Sequence, residues 1–161
     1  MKIRKAFSFL IVIVTAFSLF GCKAFGDDPK RIEKQDAVQI FEYLKNEDID
    51  SLCGLFSKEA AAKHSIRSEW ERFFARVDGK IVSYKGIKYP GEGVGKDKNG
   101  EVYDSHISVN YVDVTTDKGT VYKEFGYYRV RVSKNNPDTV GLSVFTMKDP
   151  DTGEWITVGG D

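Results

Sequence analysis

The stretch "WERFFARVDGKIVSYKGI", residues 70–87, decides the fold class, because the hydrophobic period changes inside it. Trp70, Phe73, Phe74 and Val77 fall at i, i+3, i+4 and i+7, the apolar stripe of an amphipathic helix. Asp78 and Gly79 then supply a stop, since glycine takes the left-handed conformation beyond a helix end without a Cβ penalty. After Gly79 the apolar residues recur with a period of two, the pattern of half-buried strands.

Upstream of the switch the helical period holds. Asp28-Pro29 offers an N-cap followed by proline at the first helical position, where its missing N–H costs nothing. Ala37, Ile40, Phe41 and Leu44 make one stripe on the helix that follows, which should end near Asn46. Ile49, Leu52, Cys53 and Phe56 repeat the spacing on a shorter helix from about Asp48, and 58–64 is an alanine-rich turn or two. The third helix has a capping-box start in Ser68-Glu69-Trp70-Glu71, with Ser65 an alternative cap one turn earlier.

Downstream, 81–89, 102–115, 121–132 and 140–147 are rich in Val, Ile, Thr and Tyr, and 154–158 can add a short last strand. Asn99-Gly100, Asp117-Lys118-Gly119, Asn135-Asn136-Pro137-Asp138 and 149–153 carry turn chemistry between them. Helices first and strands afterwards predict an α+β domain: three N-terminal helices on one face of an antiparallel sheet of four to five strands. Strands this long imply a strongly curved sheet. The order resembles the NTF2-like cone of the cystatin-like class, in which the sheet wraps the helices and often leaves a pocket.

The N-terminus sets the address. Lys2, Arg4 and Lys5 precede an uncharged stretch over 6–20, too short for the roughly 17 to 25 residues of a membrane span but suited to the core of a signal peptide, about 7 to 15 residues. Leu19-Phe20-Gly21-Cys22 follows, and it resembles the lipobox of bacterial lipoproteins. That resemblance implies cleavage after Gly21 and a diacylglycerol thioether on Cys22. Each buried acyl methylene contributes about 0.8 kcal/mol, so two chains hold stably where one holds marginally. The expected organisation is a lipoprotein signal peptide over 1–21, a lipidated tether over 22–27 and one domain over 28–161. The protein is then anchored through Cys22 to the extracytoplasmic face of the bacterial cell membrane.

Cleavage leaves about 140 residues, an ordinary size for one core. It removes three basic residues and no acids from a balance of 24 to 24, leaving a slightly acidic chain with no basic footprint for nucleic acid. With Cys22 lipidated, Cys53 has no disulfide partner in the chain.

Several stretches carry a further resemblance: "DGKIVSYKGI" at 78–87, "GEG" at 91–93, "TDKGTVYKEFGYYRVRV" at 116–132 and "GLSVF" at 141–145. Together they resemble the bacterial lipoprotein family of domain of unknown function 5104, over about residues 36–159. The likeness implies a secreted, lipid-anchored NTF2-like domain and brings no catalytic residues or substrate with it.

Candidate chemistry is sparse. "GEGVGKDKNG", 91–100, has glycines and a lysine but neither the spacing of a phosphate loop nor that of a dinucleotide fingerprint, and Gly100 comes too early for an EF-hand; it predicts a mobile hairpin loop. Asp104, His106, Ser108 and Asn110 share one strand face, while Ile107, Val109 and Tyr111 form the apolar opposite face that should meet the helices. His106 and Asp104 could transfer protons if they faced a cavity, but this parity sets them on the outer, solvated side. Cys53 belongs to a core stripe and reads as a buried, inert thiol, and His64 as a helix C-terminal cation or surface residue. Two histidines make a multi-histidine metal site untenable.

Aromatic residues are the more suggestive supply. Trp70, Tyr111 and Tyr128 would line a ligand pocket if the cone is not filled, and otherwise they fill it. Phe125, Tyr127, Arg129 and Arg131 fall on the other face by alternation, an exposed row of residue types common in partner surfaces. The expectation is a non-catalytic domain, without cofactor or metal, that binds a small ligand or an envelope partner. The alternatives are an NTF2-like enzyme using His106 and Asp104, and an interaction module using the outer sheet face.

Overall fold

Helices precede strands, as the change of period at Gly79 requires. The computed structural model describes residues 29–160. The chain divides after Ile32, and the larger compact unit begins at Glu33. Among the described residues four α-helices come first: α1 (Pro29–Lys45), α2 (Ile49–Gly54), α3 (Lys58–Lys63) and α4 (Ile66–Arg76). The fourth, beyond the three expected, is the alanine-rich segment. It closes into helix because Ser57 Oγ accepts from the Ala60 N–H at 3.1 Å, satisfying one of the donors a helix start leaves open. Asp48 does the same for α2, accepting from the Ser51 N–H at 3.1 Å. α4 starts after Ser65 rather than at Ser68, so Ser68 and Glu71 lie inside the helix and form no capping box.

Eight strands follow: β1 (Ile81–Ser83), β2 (Gly86–Lys96), β3 (Val102–Val112), β4 (Val114–Thr116), β5 (Val121–Tyr122), β6 (Phe125–Ser133), β7 (Gly141–Lys148) and β8 (Trp155–Gly159). They form two antiparallel sheets, ordered β2-β3-β6-β7-β8 and β1-β4-β5, where a single curved sheet was expected. The reason is that three of the long runs each break, after Ser83, at Asp113 and after Tyr122. Asp113 holds a φ of 51°, a left-handed conformation that aspartate tolerates better than most residues. Its carboxylate accepts from Lys123 Nζ at 2.6 Å and from Lys85 Nζ at 2.8 Å. Lysines from the other two breaks thus meet one aspartate at the third.

A second difference concerns 91–100. The expected mobile loop is strand as far as Lys96, and only the turn beyond it is loop. Asp97 Oδ1 organises that turn by accepting from the Asn99 and Glu101 N–H groups, both at 2.9 Å. The glycines have a packing cause: a Cβ at Gly93 would overlap the His106 ring, and one at Gly95 the Tyr103 ring. Glycine here lets side chains of β3 lie across β2.

The core lies between the helices and one face of the large sheet. Ala37, Ile40, Phe41 and Leu44 of α1 and Trp70 and Phe73 of α4 are buried with Ile107, Val109, Tyr111, Phe125, Tyr127 and Phe145. Edge-on ring pairs run through it: Trp70 to Phe73 at 5.1 Å, Phe73 to Phe125 at 5.6 Å and Phe125 to Phe145 at 5.3 Å. Such pairs contribute roughly 0.5 to 1.5 kcal/mol each beyond the area they bury.

Candidate functional site

The three residues expected to share a pocket do not converge. Trp70 and Tyr111 are both 0% exposed, and Phe73 and Phe125 link them in a continuous chain of rings. The Tyr111 hydroxyl donates to the Ala37 carbonyl at 2.7 Å, so its polar end is satisfied inside the core. Tyr128 lies on the opposite sheet face, its ring 5.6 Å from that of His106. Register explains the split, because Tyr127 stands opposite Val109 and Phe125 opposite Tyr111, both core residues.

The same register corrects the expected partner surface. Phe125 and Tyr127 are buried, and no exposed row exists along β6. The Tyr127 hydroxyl donates at 2.8 Å to Glu33, a carboxylate only 1% exposed. Burial above all, reinforced by Tyr111 and Glu33, holds the Tyr127 proton far above the usual phenol range. Arg129 pairs with Asp36 of α1 at 2.6 Å, and Arg131 with Glu92 of β2 at 2.9 Å. This polar end of the core fastens α1 to the sheet; two of its expected surface groups are rings and two are paired cations.

His106 stands on the face turned away from Ile107, Val109 and Tyr111, with Nδ1 3.5 Å from Asp104 Oδ2. Cys53 is half-buried, and burial pushes its thiol up, which disfavours the nucleophilic thiolate. His64 follows the last turn of α3, 3.6 Å from Glu69 Oε1. Among the described residues no group of three or more His, Cys, Asp or Glu is placed to hold a metal ion. Cys22 lies outside the described residues.

A concave feature that the sequence did not reveal is a groove of about 470 Å³ between α4 and β8. Glu69, Arg72, Ala75 and Arg76 form its helical wall, and Trp155, Ile156, Thr157 and Gly159 its strand wall. Both ends are pinned. Glu69 Oε2 accepts from the Gly159 N–H at 2.7 Å, and Arg76 bridges Asp149 and Glu154, each at 3.1 Å. Between the pins Arg72 has no hydrogen-bond or ion-pair partner among the described residues, and Trp155 is 54% exposed with Lys148 Nζ 5.5 Å from its ring centre. The i, i+4 spacing of Arg72 and Arg76 was a legible signal for one wall. The other wall was hidden, because nothing in a strand's own sequence says that it ends a sheet.

Four helices, two antiparallel sheets and a groove at a sheet edge define a mixed α+β domain. The chain belongs to the family described as domain of unknown function (DUF5104), whose model matches residues 39–149. A search of the curated proteins finds no match. The matched stretch contains α4 and ends before β8, so the groove is built half within it and half beyond.

Proposed function

We propose that this chain is a lipid-anchored, extracytoplasmic bacterial lipoprotein whose NTF2-like domain works by binding an envelope protein in the α4–β8 groove. The lipobox at 19–22 supports the address, and helices laid on one face of an antiparallel sheet support the architecture. The observation that carries the binding role is an unpaired Arg72 facing an exposed Trp155 across a groove whose two ends are already pinned. Tryptophan and arginine dominate the energetic centres of protein interfaces, because both bring large contact area together with directional polar groups. The chain of rings between Trp70 and Tyr111 fills the space in which an internal small ligand would sit, which favours a surface partner over one.

In-cell photo-cross-linking tests this reading. A benzophenone side chain placed at Trp155 in the lipidated chain should form adducts with envelope proteins, and Arg72→Glu should remove them. The absence of adducts, or the same adducts from a benzophenone at Tyr103 on β3, would contradict it.

A further inference from the structure

The hydrogen-bond register of β8 says what shape of partner the groove takes. The Asp149 N–H bonds the Glu154 carbonyl and the Gly160 N–H bonds the Ser143 carbonyl, both at 2.9 Å. In an antiparallel ladder the hydrogen-bonded pairs alternate with pairs whose N–H and C=O groups point the other way. With Thr146 opposite Thr157 and Lys148 opposite Trp155, it is Trp155, Thr157 and Gly159 that turn their backbone groups away from β7. β8 is the last strand of its sheet, so those groups point toward no strand. The Gly159 N–H is taken by Glu69, in agreement with this register. The Trp155 and Thr157 N–H groups have no partner among the described residues, and Thr157 is exposed.

We infer that the groove accepts an extended peptide segment, which adds as a further strand on the Thr157 edge and places an acidic side chain on Arg72. Strand addition beside a helix obtains affinity from main-chain hydrogen bonds and specificity from the flanking side chains. An open edge is ordinarily blunted by charge, proline or a covering element, because it templates pairing with other chains. Here Glu69 and Arg76 close the two ends, and about one hydrogen-bonding repeat between them stays open. Arg72 lies between those two residues on α4, so an acid on the added strand meets an unpaired guanidinium fork rather than one already bridged. This inference rests on the groove being the binding site, and it specifies the chemistry of the occupant.

The test pans a phage library of random dodecapeptides on the full lipidated chain in detergent micelles, then titrates the enriched peptides as synthetic molecules. Enriched sequences should carry Asp or Glu beside β-branched residues and should shift the Thr157 amide resonance. Methylating alternate peptide amides should weaken binding at least tenfold with the wild-type protein, so this arm needs no variant. Thr157→Pro should do the same, since proline at an edge position removes only an outward N–H. Arg72→Glu should weaken acidic peptides at least tenfold and accept their lysine counterparts. No enrichment, or binding indifferent to amide methylation and to Thr157→Pro, would overturn the inference. So would a dimer of the chain that forms through β8 and leaves the edge unable to bind any peptide. Photo-cross-links that persist while strand addition fails would leave the groove reading standing; peptides that bind as expected without cross-links in cells would leave strand addition standing and remove the envelope partner.

Discussion

Tyr127 of β6 is buried in the core, and its neighbour Tyr128 lies against His106 on the other face of the sheet. Tyr127 and Tyr128 are adjacent and chemically alike, and in a strand such a step sends a side chain to the opposite face. Arg129 and Arg131 suggested that their parity faces solvent; they instead share the helix-facing side with Tyr127 and pair with Asp36 and Glu92 at its half-exposed rim. The parity of β3 was legible because Ile107, Val109 and Tyr111 alternate with Asp104, His106 and Ser108 without ambiguity. Removing the hydroxyl in Tyr127→Phe should cost about 1 to 3 kcal/mol in urea unfolding, because Glu33 is left buried without its donor. Two glycines give a sharper contrast. A Cβ at Gly126 would overlap the Val109 carbonyl oxygen, which is backbone, whereas at Gly93 it meets the movable His106 ring. Gly126→Ala should therefore cost on the order of 1 to 3 kcal/mol in any background. Gly93→Ala should cost less, and nothing measurable when combined with His106→Ala.

At the scale of elements, the strands' existence was written in their composition and their breaks were not. Runs 81–89, 102–115 and 121–132 read as continuous because Tyr84, Val112 and Tyr122 are all good strand formers. The break at Asp113 depends on Lys85 and Lys123 arriving from distant parts of the chain, information no local window contains. Those two ammonium groups, Lys123 first, hold the Asp113 carboxyl down to about 2, from an ordinary value of 3.8. A carboxyl whose pKa is lowered on folding stabilises the fold above its unfolded value and loses that contribution as pH falls through the folded one. The stability difference between wild type and Asp113→Asn should be full above about pH 5 and should shrink progressively toward pH 2, as thermal melts across that range would register. A difference that grows on acidification would contradict the corner as described. The groove belongs to this scale too: α4 was readable as a helix, but its position beside β8 follows from a sheet order set by pairing.

At the scale of the whole molecule, the proposed function joins an address to a surface. The first is proposed from the resemblance of 19–22 to a lipobox, and on that proposal Cys22→Ser should move the protein from the detergent to the aqueous phase and leave the precursor uncleaved; normal processing with detergent partitioning would contradict lipidation. The groove supplies the second, and on the proposed binding role β8 and α4 are covered when the protein sits in its native envelope. Amide hydrogen exchange reads this without knowledge of the partner, because an N–H bonded to a partner strand exchanges slowly. The lipidated chain in native envelope vesicles, compared with the same chain purified in detergent, should show slowed exchange over 155–159 and unchanged exchange over 86–96. Equal exchange of 155–159 in both states, or protection of 86–96 in its place, would contradict it.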